Sequence, residues 1–126
     1  MESDGPTQPA APGLIAFVSD RDGTDALFVM RSDGSDGRRL TADLPPVCHP
    51  SWSYDGQRIA FNAGSPTSSD IYAINVDGSG VVQLTSDARA NFYPGWSPDG
   101  SRLAFSSNRD GDWDIFMNAD VRSRGS

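Results

Sequence analysis

Three observations predict an all-β chain, a partial β-propeller of about three four-stranded blades with two and a half complete. A unit of 44 residues recurs without a gap. The short β-prone runs within it are bounded by Asp-Gly turns. No stretch keeps an apolar period of 3.6 residues, so helices should be few.

The repeat comes first, because it sets the fold. Sliding the sequence by 44 residues lays Gly13–Gly56 on Gln57–Gly100, with 14 of the 44 positions identical. Ile15-Ala16-Phe17 falls on Ile59-Ala60-Phe61, Asp33-Gly34-Ser35 on Asp77-Gly78-Ser79, and Leu40-Thr41 on Leu84-Thr85. Pro50 falls on Pro94, Trp52-Ser53 on Trp96-Ser97, and Asp55-Gly56 on Asp99-Gly100. A second step brings Leu103-Ala104-Phe105 and Ile115-Phe116 into the same register.

Within one period four strands are expected, clearest in the second repeat: Tyr93–Ser97, Arg102–Ser106, Asp70–Asn75 and Val81–Thr85. Each is short, carries β-branched or aromatic residues and is bounded by Gly, Pro, Asp or Ser. Four antiparallel strands in about 44 residues is the size of one propeller blade. Pro6–Pro12 is too proline-rich for a central strand, so the first blade is expected to start at Gly13 with its second strand. The division expected is a flexible segment 1–12 and a partial propeller 13–120, followed by a tail 121–126 of recombinant character. Within the propeller the blades are 13–44, 45–88 and 89–120.

Composition narrows the function classes. The chain has 126 residues and a net charge of −7. All its cations are Arg, and 16 of its 17 acids are Asp. Acidity without a basic run argues against nucleic acid as a partner. No apolar run approaches the ~18 residues of a membrane span, and Met1-Glu2-Ser3-Asp4-Gly5-Pro6 is not a signal peptide. The single Cys48 excludes a disulfide within the chain.

The run Pro94-Gly95-Trp96-Ser97-Pro98-Asp99-Gly100-Ser101-Arg102-Leu103-Ala104-Phe105-Ser106-Ser107-Asn108-Arg109-Asp110-Gly111, followed by Asp114-Ile115-Phe116, resembles the TolB-type propeller repeat. The likeness extends over nearly all of Gly13–Ala119. The first copy departs at Tyr54, where the family usually has Pro. The second departs at Gly64-Ser65-Pro66, where the Arg-Asp-Gly hairpin is missing. The resemblance implies that the Trp-Ser strand is innermost, that six blades make the complete ring, and that the setting is the bacterial periplasm or envelope. Two and a half blades do not close, since propellers take roughly four to eight. The expected partner is therefore the chain itself, as a homodimer or larger closed oligomer completing six blades.

Strand alternation puts the tight Asp-Gly turns at one end. The varied loops Val18–Asp25, Asn62–Ser69 and Ser106–Trp113 lie at the other, with Ala42–His49 and Ser86–Tyr93. Variable loops on a rigid scaffold are where binding resides. Cys48, His49, Asn91, Phe92 and Tyr93 should border the channel there. His49 is a candidate metal ligand or general base, set against a solvent-facing loop histidine beside a small buried cysteine. Asp20, Asp22 and Asp25, like Asp110, Asp112 and Asp114, suit calcium by composition but turns by spacing. Arg21 and Arg109 read as exposed ion pairs or anion anchors. Trp52, Trp96, Phe17, Phe61 and Phe105 repeat in register and read as core. Trp113 does not repeat and is an interaction candidate.

The favoured function is non-catalytic: a ring-forming propeller segment that binds a protein or small ligand at the inter-blade loop face and central channel. The enzymatic alternative is a metal-dependent hydrolase (zinc or calcium) acting on activated phosphate or carboxylic esters around paired His49. A third is a purely structural half of a larger propeller. No cofactor is required by the first or third.

Overall fold

The computed structural model describes residues 13–85, 89–109 and 111–118. The expectations for 1–12, for Asp110 and for the tail 121–126 fall outside them. Ten strands are described: β1 (Leu14–Ser19), β2 (Ala26–Arg31), β3 (Arg38–Arg39), β4 (Val47–Trp52), β5 (Arg58–Ser65), β6 (Ser68–Asn75), β7 (Val82–Gln83), β8 (Asn91–Trp96), β9 (Leu103–Ser107) and β10 (Asp114–Asn118). They form three antiparallel sheets ordered β1-β2-β3, β4-β5-β6-β7 and β8-β9-β10. The architecture is an all-β partial propeller in which each sheet is one blade.

Alternation assigns each blade two apolar faces. Ala16, Leu27 and Val29 of the first blade pack with Phe61, Tyr72 and Ile74 of the second. Ala60, Ile71 and Ala73, on the other face of the second, pack with Trp96, Leu103 and Phe105 of the third. Of the repeated residues expected in the core, Trp52 and Trp96 are each 8% exposed and Phe61 and Phe105 are buried, whereas Phe17 is only half-buried because no described blade covers its face.

The fourth strand is shorter than Val81–Thr85 suggests, with only Val82 and Gln83 in the ladder. The repeated Leu-Thr pair explains this. The Leu84 N–H donates to the Ile71 carbonyl, and Thr85 Oγ1 then accepts the Ile71 N–H at 3.0 Å. Thr41 Oγ1 accepts the Leu27 N–H in the same way at 3.1 Å. A hydroxyl replaces the next rung and ends the strand. Where the second blade lacks the Arg-Asp-Gly hairpin, β5 and β6 continue until Ser65 pairs with Ser68 across Pro66-Thr67. Gly64 is needed there: its φ is +140°, and a Cβ would strike the Ser68 carbonyl.

The Asp-Gly turns are closed by side chains. Asp33 Oδ1 accepts from the Ser35 N–H and hydroxyl, as Asp77 Oδ1 does from Ser79. Asp55 Oδ1 accepts from the Ser53 hydroxyl and the Gln57 N–H. These hydrogen bonds from serine hold all three carboxyls below the usual aspartate value. A lowered folded pKa stabilises above the unfolded value and is lost as pH falls through the folded one. Thermal scans should therefore show stability declining below about pH 4. Asp55→Asn should flatten that decline, and an unchanged slope would refute the account.

Candidate functional site

β4 and β8 share an irregularity that places side chains. The β4–β5 register shifts between Cys48 and Ser51, and the β8–β9 register between Phe92 and Gly95. Each shift holds one residue in the left-handed region, His49 at φ +57° and Tyr93 at +59°, one period apart. Such bulges re-aim side chains. Here the two rings come together with centroids 4.2 Å apart. Phe92 lies edge-on to His49 at 6.2 Å and stacks on Trp113 at 5.7 Å. Tyr93 and Trp113 remain 61% and 55% exposed. Phe92, Tyr93, Ser106, Trp113, Asp114 and Ile115 line a cleft of about 530 Å³ beside them.

Buried Asn62 fixes the arrangement. Its Oδ1 lies 2.9 Å from His49 Nδ1 and 3.4 Å from the Tyr93 backbone nitrogen. The Tyr93 N–H can only donate, so the atom facing it is the amide oxygen and His49 Nδ1 must donate as well. In the neutral ring the lone pair therefore sits on Nε2, the atom left to accept a proton, a hydrogen bond or a metal. Sequence reasoning did not single out Asn62. The available signal was its place in the repeat, where Val18 and Ser106 are its counterparts.

Of the predicted residues, His49, Phe92, Tyr93 and Trp113 are brought together, and Cys48 lies half-buried beside His49 on β4. Asn91 does not border an opening. It is fully buried, and its Nδ2 donates to the Ser69 and Arg89 carbonyls at 2.9 and 3.1 Å. It holds β8 to the preceding blade.

Arg21 and Arg109 lie elsewhere and do other work. Arg21 sits over the stacked Phe17 and Phe28 rings at 5.3 and 4.8 Å, its Nε donating to Ser19 Oγ. Arg109 sits over Phe105 and Phe116 at 5.3 and 4.3 Å, with Nε on Ser107 Oγ. At both, the guanidinium is held on an aromatic pair. Of the nearby acids, Asp22 pairs with Arg39 at 3.3 Å. Among the described residues no three His, Cys, Asp or Glu side chains are grouped to hold a metal ion. No helix among them is long and apolar enough to cross a membrane.

Fold and repeat together define a run of propeller blades with an aromatic and imidazole cluster on its bulged strands. The family model of the TolB β-propeller domain matches residues 42–124, and the chain belongs to that family. A TolB-type protein of Agrobacterium tumefaciens is similar at 26% identity and TM-score 0.71, over 86% of this chain and 42% of that one. TolB of Acinetobacter baumannii is similar at 25% identity and TM-score 0.72, over 90% of this chain and 28% of that one. The uncharacterized peptidase YuxL of Bacillus subtilis (strain 168) is 47% identical over 47 residues, 36% of this chain and 7% of its own. The chain thus spans less than half the length of each of these relatives.

Proposed function

We propose that the chain is a non-catalytic binding segment. Its blades close into a ring with those of a second copy, and it holds a protein or small ligand at the inter-blade loop end, on His49, Phe92 and Tyr93. The supporting observation is the clamp at Asn62, one buried oxygen that orients an imidazole and an exposed phenol toward the same space. Aromatic anchors rimmed by polar atoms are the chemistry of peptide and protein capture. Likeness to TolB makes the periplasm or envelope the proposed setting.

A peptide library displayed on phage and selected on the intact chain tests this site. Selected peptides should bind a His49→Ala/Tyr93→Ala variant about tenfold more weakly or worse, the effect of losing an anchor. Peptides indifferent to the double substitution would refute the site. Solution mass tests the ring: a stable folded monomer at micromolar concentration would refute it.

The second reading, a metal-assisted hydrolase of activated phosphate or carboxylic esters, is favoured by one observation, the lone pair left on His49 Nε2. Two copies would have to bring their His49 side chains together, with Cys48 or a nearby Asp. Bound zinc and ester hydrolysis that both vanish in His49→Ala would support it; no metal and unchanged behaviour would eliminate it.

A further inference from the structure

Arginines of this chain rest on its aromatic rings. Arg21 covers the stacked Phe17–Phe28 pair and Arg109 the stacked Phe105–Phe116 pair, while Arg58 lies over Trp96 at 4.7 Å. Phe92 and Trp113 make another stack of the same kind. Their centroids are 5.7 Å apart and their planes 22° from parallel, against 5.6 Å and 19° for Phe17–Phe28. Among the described residues no guanidinium covers this stack, and Trp113 is more than half exposed. Tyr93 lies against Phe92 at 5.9 Å and lines the same cleft. Asp114 adds a carboxylate to that lining, in a chain of net charge −7.

Trp113 stands one period after Ser69. On the second blade Ser69 is buried beneath β8, its Oγ donating to the Asn91 carbonyl at 2.7 Å and accepting the Asn91 N–H at 3.1 Å. An indole N–H has no lone pair to accept with, and its rings fill the room that an inner strand would take. A further blade therefore cannot seat at this end as the third seats on the second, and the aromatic surface is left for a ligand.

We infer that the Phe92–Trp113 stack, with Tyr93 and Asp114, is a seat for an arginine side chain of a bound peptide. The guanidinium would lie flat on the stack, as the chain's own arginines lie on theirs, with Asp114 at its rim. A planar, weakly hydrated cation suits an aromatic face better than a compact ammonium does. The carboxylate favours it over a neutral group of the same shape. The inference rests on the binding reading above and names the chemistry of what is bound, a basic segment complementary to an acidic chain.

The test titrates the full chain with two end-blocked tripeptides, Gly-Arg-Gly and Gly-citrulline-Gly, since citrulline keeps the shape of arginine without its charge. Binding is read from the Trp113 indole N–H resonance and the amides of Phe92 and Ile115. The arginine peptide should shift these and leave the buried Trp52 and Trp96 indoles in place. Citrulline should bind about fivefold more weakly or worse. Asp114→Asn, which keeps an oxygen for the Ile115 N–H now accepted at 2.8 Å, should weaken the arginine peptide by a similar factor. In Trp113→Ala the amide shifts should vanish, with unmoved Trp52 and Trp96 resonances showing that the variant is folded. Equal binding of the two tripeptides overturns the inference, and so do resonances that neither peptide moves. The binding reading is judged separately by the phage selection. Selected peptides that depend on His49 and Tyr93, yet carry no arginine and ignore Trp113→Ala, would leave that reading standing and overturn this one.

Discussion

Phe61→Ala is expected to remove about 3–5 kcal/mol of unfolding free energy, the usual cost of truncating a buried phenylalanine. Small domains have roughly 5–15 kcal/mol in total, so this one change endangers the fold. Phe61 is 0% exposed and stacks on Tyr72 with centroids 5.5 Å apart and planes 4° from parallel. Both rings belong to the cluster joining the first blade to the second. Its counterpart Phe17 has the same partner geometry, stacked on Phe28 at 5.6 Å. However, Phe17 is only half-buried and no described blade covers it. Phe17→Ala should therefore shift the guanidinium midpoint by clearly less. Equal shifts would mean that inter-blade packing is not what makes Phe61 expensive.

That comparison rests on the repeat, which was legible in the sequence because blade packing needs the same side chain every 44 residues. Ala16, Ala60 and Ala104, flanked by Ile15, Ile59 and Leu103, keep their alternation since a one-residue slip would turn every core residue to the opposite face. What escaped the sequence depends on strand pairing rather than on neighbours in the chain. Arg21 adjoins Asp20 and Asp22, yet its guanidinium rests on Phe28 because the Phe17–Phe28 pairing presents two rings below it. From the sequence Asn91 reads as a residue bordering the channel. Only the docking of β8 on Ser69 buries it while Asn62 becomes the clamp of the site. The bulges at His49 and Tyr93 are equally illegible, because neither residue type announces a left-handed backbone.

The second large effect is expected at Asn91. Asn91→Asp keeps the volume of the side chain and replaces the donating Nδ2 with an oxygen, which then faces the Ser69 and Arg89 carbonyls now at 2.9 and 3.1 Å. Two donated hydrogen bonds become repulsions, and a charge is left at a fully buried position. The expected loss at neutral pH is about 3–5 kcal/mol, as for other uncompensated buried charges. No cavity forms, so acid should reverse the effect. Burial and the facing carbonyls raise the folded pKa of the introduced carboxyl above its unfolded value near 3.9. Such a group is tolerated below the unfolded pKa, and its stability is lost as pH rises through the folded one. Denaturation midpoints of parent and variant should therefore converge as pH falls from 7 toward about 4. A gap independent of pH would mean that shape rather than protonation matters at this position. The consequence reaches the candidate site directly, because Asn91 fixes the strand on which Phe92 and Tyr93 follow. At neutral pH the variant should lose any peptide selected on His49 and Tyr93, and it should regain that peptide on mild acidification, before the Asp-Gly turns give way.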